Sequence, residues 1–145
     1  RPVMEVIFMK QKQIQIKCPY CGAKAVLRPA SVVYGTNLNE KGRHIYLCSN
    51  WPACDAYVSA HKTSLLPMGT LANGELRHKR ILAHRALSAI QQRRHMEKWA
   101  VYLWLEMQLG LGREEAHIGQ FSEGQCEQVM KLCRQALSPP SRLSA

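Results

Sequence analysis

Cys18-Pro19-Tyr20-Cys21-Gly22 and Cys48-Ser49-Asn50-Trp51-Pro52-Ala53-Cys54 are the two stretches whose reading decides the fold. The first is a Cys-x-x-Cys turn closed by glycine, a spacing at which two thiolates reach one metal ion while backbone N–H groups point at the sulfurs. The second supplies another pair across a wider turn. Between them lies Gly35-Thr36-Asn37-Leu38-Asn39-Glu40-Lys41-Gly42, a loop by its Gly and Asn content, which invites a hairpin between the strands that flank it. Two pairs separated by a hairpin can close a tetrahedron, and Zn²⁺ accepts that arrangement because its filled d shell imposes no geometry of its own. Cys18, Cys21, Cys48 and Cys54 are therefore predicted to hold one structural Zn²⁺. Four protein sulfurs leave no open position for water, so the ion is expected to support folding rather than catalysis, and a chelator to unfold the module.

The competing readings of these cysteines are weaker on context. Disulfides suit exported chains, and the start of this sequence lacks a basic segment followed by an apolar stretch and a cleavage site. A redox Cys-x-x-Cys expects a βαβ setting, which the pattern does not offer. An iron–sulfur cluster also takes four thiolates, but tight pairing without a third clustered cysteine favours zinc. Cys126 and Cys133 lie seven residues apart on one helix face, where buried structural thiols are the default.

Outward from the cysteines, residues 3–62 read as short strands: Val3-Met4-Glu5-Val6-Ile7-Phe8, Gln13-Ile14-Gln15-Ile16, Ala25-Val26-Leu27, Ser31-Val32-Val33-Tyr34, Ile45-Tyr46-Leu47 and Tyr57-Val58. Pro67, Gly69 and Gly74 mark a hinge or packing strap over 65–74. A helix is predicted over 74–92, with Asn73 as its N-cap and Leu76, Ala83, Leu87 and Ile90 on one face. A second is predicted over 97–109, ended by Gly110 and carrying too many large apolar groups (Trp99, Tyr102, Leu103, Leu105) to stand alone. The third starts at Ser122-Glu123-Gly124-Gln125, a capping box, with Phe121 placed to staple against Cys126 and an apolar stripe through Val129, Met130, Cys133 and Leu137. The expected fold class is α+β: an N-terminal four-cysteine zinc-ribbon β module over residues 1–64, packed with a C-terminal segment of about three helices over 65–138, and a frayed tail over 139–145.

Charge narrows the partner. The 145-residue chain carries 20 Lys and Arg against 10 Asp and Glu, a net +10, and four thiolates with one Zn²⁺ would lower it only to +8. Residues 1–60 hold eight bases and three acids, 61–95 seven and one, and 96–145 five and six. A polyanion is the natural partner of the first two thirds, since phosphates attract Lys and Arg and release bound counterions. A solubilising surface is the bland alternative. No apolar run approaches the ~18 residues of a membrane helix, so no membrane contact and a cytoplasmic location are expected. Arg1 stands where a starting Met would, which leaves the natural N-terminus open.

Cys-Pro-Tyr-Cys-Gly and Cys-Ser-Asn-Trp-Pro-Ala-Cys-Asp-Ala-Tyr, over residues 17–58, resemble the C-terminal zinc ribbons of bacterial type IA topoisomerases. There a Cys-Pro-x-Cys-Gly half is followed by Cys-Ser-x-(aromatic)-Pro-x-Cys-x-x-(aromatic). The whole chain looks like the small zinc-finger-containing proteins of bacteria, prophages and phages, in which such a ribbon precedes a helical segment. The topoisomerase likeness implies single-stranded DNA binding by exposed aromatics and bases, and the matching positions are Trp51 and Tyr57, with Tyr20 and Tyr46 near the metal. This chain has no topoisomerase core and a longer spacer between its cysteine pairs, so DNA relaxation is not expected of it.

The same expectation follows from the residues. Aromatic faces stack on unpaired bases at about 1–3 kcal/mol each while Arg and Lys hold the backbone. Tyr20, Tyr46, Trp51 and Tyr57 lie among Lys17, Lys24, Arg28, Arg43 and Lys62. Arg77, Arg80 and Arg85, with His84, could follow a phosphate backbone along the first long helix. Against this, two or more of the rings could pack the small ribbon core, and a charged helix face is commonly just solvated. No nucleophile motif, phosphate loop or carboxylate pair is visible, so no enzymatic activity is expected. The near-neutral helical third, with Trp99, Tyr102 and Trp104 close together, keeps a protein-interaction module open, such as a phage or mobile-element factor docking on a host protein. Those rings more readily form an internal core.

Overall fold

The computed structural model describes residues 14–35 and 42–138. The strand expected over 3–8, residue 13, the interior of the loop at 36–41 and the tail from 139 lie outside the described residues. The fold is α+β, and the chain divides into two compact units, Arg1–Gly74 and Glu75–Ala145.

The first unit is built on a three-stranded antiparallel sheet in the order β1 (Ala25–Pro29), β2 (His44–Cys48), β3 (Tyr57–Ser59). Val26 pairs with Leu47, Arg28 with Ile45, and Tyr46 with Val58. β2 is central, and its alternation covers both faces of the sheet. Tyr46 and Cys48 face one cluster with Cys18, Ala56, Ala60 and Leu71. Ile45 and Leu47 face a second with Ala30 and Tyr57, onto which Val33 and Trp51 pack. Fully burying each aliphatic side chain of this strand contributes about 1.5–3 kcal/mol, but the clusters hold only a handful of residues apiece.

Ser31-Val32-Val33-Tyr34, expected as a strand, is instead a single helical turn, α1. The Ala30 N–H still donates to the Arg43 carbonyl, but the Ala30 carbonyl turns back to accept the N–H groups of Val33 and Tyr34. Gly35, at φ 79°, then carries the chain out of the turn in a region that side chains other than glycine rarely adopt. Residues 65–72 return along β3: Met68 N–H donates to Ser59, Tyr57 and Ala72 exchange two backbone bonds, and Leu71 enters the first cluster. The Asp55 carboxylate accepts the Gly74 N–H at 3.0 Å, occupying one of the donors a helix start leaves open.

Three long helices follow, α2 (Gly74–Arg93), α3 (Lys98–Leu109) and α4 (Glu123–Leu137), with a short 3₁₀ turn at Ile118–Gln120. Each prediction lies within one residue of the observed start and end of α2 and α3. Gly110 ends α3 at φ 67°. The capping box at Ser122 is complete: Gln125 N–H donates to Ser122 Oγ at 3.2 Å, and Ser122 N–H to Gln125 Oε1 at 3.0 Å. The buried side of this unit comprises Leu76, Ala83, Leu87 and Ile90 from α2, Val101 and Leu105 from α3, Ile118 and Phe121, and Cys126, Val129 and Cys133 from α4. Lys79 bridges α2 to Glu123 and Glu127 of α4 at 3.0 and 3.2 Å, and Arg94 donates to the Ala136 carbonyl.

Arg80 departs from its expected role. It is buried, and its Nε donates to the Phe121 carbonyl at 3.1 Å. The cause is helical geometry: positions 76, 80, 83, 87 and 90 recur at the helix period, so Arg80 stands on the apolar face rather than beside Arg85. Among the described residues, no helix is long and apolar enough to cross a membrane.

Candidate metal centre

Two tight turns present the cysteines. In the first, the Cys18 N–H donates to the Ala23 carbonyl and the Gly22 N–H to the Cys18 carbonyl, with Gly22 at φ 79°. A side chain there would be strained, which is why the motif closes on glycine. In the second, Trp51 N–H donates to the Cys48 carbonyl and Cys54 N–H to the Asn50 carbonyl. A bond from Ser49 N–H to the Lys24 carbonyl ties one turn to the other. β1–β2 pairing therefore sets the distance between the two halves, with Ala25 opposite Cys48.

The four Sγ atoms converge. All lie within 4.8 Å of one another, with Cys18 and Cys54 at 3.6 Å and Cys21 and Cys48 at 3.4 Å. Four sulfurs about a zinc at bond lengths of about 2.3 Å sit about 3.8 Å apart, so the cluster needs only a slight adjustment to close on the ion. The donor set matches zinc: soft thiolates, four in number, with Cys18 and Cys48 buried and no place left for a water ligand. Cys126 and Cys133 stand apart as buried thiols of α4, and burial pushes Cys133 up to about 11.

Hydrogen bonds and burial set Cys21 apart from Cys48 and Cys54. The Ala23 backbone N–H and the Asn50 side-chain amide, the latter 3.4 Å from the sulfur, favour the Cys21 thiolate and hold its pKa down at about 6. Burial pushes Cys48 up to about 12, although the Asn50 backbone N–H approaches its sulfur. Cys54 is raised as well; the Ala56 N–H favours its thiolate, but burial and the Cys18 thiol oppose it. Asn50 therefore serves both turns at once. Asn50 is not among the residues singled out from the sequence, although its place two residues after a ligand cysteine, where N–H groups point at sulfur, is a signal for it.

A pH dependence follows. Cys21 is a thiolate above pH about 6, whereas Cys48 and Cys54 keep their protons at neutrality and must release them to a metal. Cys48 and Cys54 alone displace two protons per ion, so apparent zinc affinity rises at least about 100-fold per pH unit from weakly acidic to neutral pH, and more steeply still below the Cys21 pKa. Competition against a chromophoric chelator across pH measures this slope; a flat profile would contradict the assignment.

The residues expected to meet nucleic acid divide. Tyr20 is 43% exposed beside Cys21, and Arg28, Lys62 and Arg85 are exposed; Arg43 and Arg77 are half-buried. Tyr46 and Tyr57 are buried and belong to the core, contrary to expectation. Tyr46 lies within the first cluster and donates its hydroxyl to the Leu65 carbonyl. Tyr57 packs edge-on to Tyr34 and Trp51, and its hydroxyl lies 2.9 Å from that of Tyr34. Both rings sit on strands of a sheet covered on two sides, so neither has a face open to a base. Trp51 is half-buried and lines a shallow groove of about 310 Å³ with Val26, Arg28, Val32 and Leu47.

A small β sheet carrying a closed four-cysteine cluster, followed by helices, defines a metalloprotein of the zinc-finger class, in which the metal is structural. Residues 14–136 match the family described as a zinc-finger-containing domain, and the chain belongs to that family. No curated protein and no solved structure matches the chain.

Proposed function

We propose that this chain is a non-catalytic, cytoplasmic nucleic-acid-binding protein that takes up single strands, DNA foremost, on its zinc module. The observation that carries the reading is the groove beside the metal turns, where the half-buried ring of Trp51 and the exposed guanidinium of Arg28 share apolar walls. An unpaired base stacks on an indole whatever its identity, and a guanidinium holds the adjoining phosphate. A duplex keeps its bases stacked inside and cannot enter such a groove. Tyr20 at the first turn offers a further ring, and the positive balance of residues 1–95 supplies the long-range attraction. The likeness of the two cysteine turns to topoisomerase ribbons supports the same reading.

Fluorescence anisotropy with labelled single- and double-stranded oligonucleotides over a salt series tests it. Affinity for single strands should exceed that for duplex and fall linearly with the logarithm of salt, with a slope of about −0.7 per phosphate neutralised. Trp51→Ala should cost about 1–3 kcal/mol with little change of slope, and Arg28→Ala should reduce the slope. Absence of any binding at low salt would remove the proposal. A second reading, docking on another protein through the helical unit, draws on the exposure of Trp99. A partner retained through residues 96–137 after nuclease treatment would favour it.

A further inference from the structure

α3 buries Val101 and Leu105 and turns a different row outward: Trp99, Leu103 and Met107 are 68%, 47% and 75% exposed. These positions are four residues apart, so they form one continuous ridge along the helix, with Leu103 midway and its neighbours about 6 Å to either side. The two ends differ in shape. Met107 projects at one end. At the other, Glu97, Lys98, Trp99, Tyr102 and His117 surround a hollow of about 530 Å³.

We propose that this face receives a second copy of the chain, packed antiparallel with its two-fold axis at Leu103. That symmetry places each Met107 in the hollow beside the partner's Trp99, and each Leu103 against the partner's Leu103. A thioether against an aromatic edge is a favourable contact, and methionine adapts to irregular gaps. A knob and a hollow at equal distances from one central residue make a surface complementary to itself, which is what an isologous interface requires. The ridge alongside, Lys98, Tyr102 and Glu106, repeats the symmetry with charge. Antiparallel pairing brings like flanks together, so Lys98 meets the partner's Glu106 at both ends. Among the described residues neither the Lys98 nor the Glu106 side chain has a hydrogen-bond or ion-pair partner. The net +10 does not oppose the contact, since residues 96–145 carry five bases and six acids. An apolar patch on the order of a few hundred Å² supports reversible rather than obligate pairing.

Sedimentation velocity of the intact zinc-loaded chain at physiological salt tests this. The expected result is a monomer–dimer equilibrium on the order of 100 µM or tighter. Leu103→Glu, which sets two carboxylates on the axis, should leave a monomer with an unchanged circular dichroism spectrum. Lys98→Glu and Glu106→Lys should each weaken pairing about tenfold, as both contacts become repulsive. Mixing those two variants, or combining both changes in one chain, should restore it. A chain that stays monomeric throughout, a Leu103→Glu protein that pairs normally, or variants that gain nothing from mixing would each overturn the proposal. So would a monomeric chain whose α3 ridge binds a different protein.

Discussion

Removing zinc from the intact chain should unfold its cysteine-bearing unit. The two clusters on the sheet contain few large aliphatic side chains, and two members of the first are ligand cysteines. Binding free energies of structural zinc in small modules run to about 10–16 kcal/mol near neutral pH, against about 5–15 kcal/mol for the whole stability of a typical domain. The ion thus outweighs what the sheet can supply. Amide hydrogen exchange should show protection along β2 (His44–Cys48) in the loaded protein and its loss after chelation, with recovery on adding zinc back. Cys48→Ser should reproduce the unloaded state more completely than Cys21→Ser. Cys48 is wholly buried at the end of the central strand, whereas Cys21 is exposed on its turn. Unchanged protection of β2 in metal-free protein would mean that the sheet holds itself together.

The second large effect is expected at Phe121. It is the bulkiest fully buried side chain among the described residues, placed between the 3₁₀ turn and the capping box of α4, and its carbonyl takes the bond from Arg80. Phe121→Ala removes a ring from a closely packed interior that collapses only partly around the space, at a cost of about 3–5 kcal/mol. For a unit of this size each kcal/mol lowers the melting temperature by about 4–8 °C, so a fall of more than about 10 °C is expected in a melt followed by helical circular dichroism. A change below about 1 kcal/mol would show that the Phe121 pocket refills without loss.

The metal centre was legible in the sequence because its information is local: each cysteine pair fixes its own turn through spacing and glycine, and only their meeting needed the hairpin. The helices were legible for a similar reason, since Gly110 and the Ser122–Gln125 box mark ends by chemistry that acts over one turn. Ser31–Tyr34 was not. Four residues with two valines suit a strand or a helical turn equally, and the choice was made by the Ala30 carbonyl taking the Val33 and Tyr34 N–H groups and by Tyr57 receiving Tyr34. Arg80 misled in another way. Its charge suggested the solvated face although its position in the 76, 80, 83, 87, 90 series put it inside, and a carbonyl at Phe121, far along the chain, makes burial tolerable. Tyr46 and Tyr57 could not be separated from Tyr20 and Trp51 by composition. Which ring is covered depends on β2 being the central strand, a property of the assembled sheet.

α3 packs as its composition suggested, but with only part of its apolar surface. Its apolar residues exceed what one buried stripe can use, so Val101 and Leu105 go inward and Trp99, Leu103 and Met107 remain on the surface. A helix with two apolar stripes has a use for both only if a second surface meets it.

The metal centre of the first unit requires its four sulfurs to share one ion. Native mass spectrometry of the freshly purified chain, beside elemental analysis, measures this directly. One zinc per chain is predicted, falling to none in Cys48→Ser and unchanged by Cys126→Ala. A chain free of metal, one carrying iron with inorganic sulfide, or a Cys48→Ser protein that keeps its zinc would contradict it.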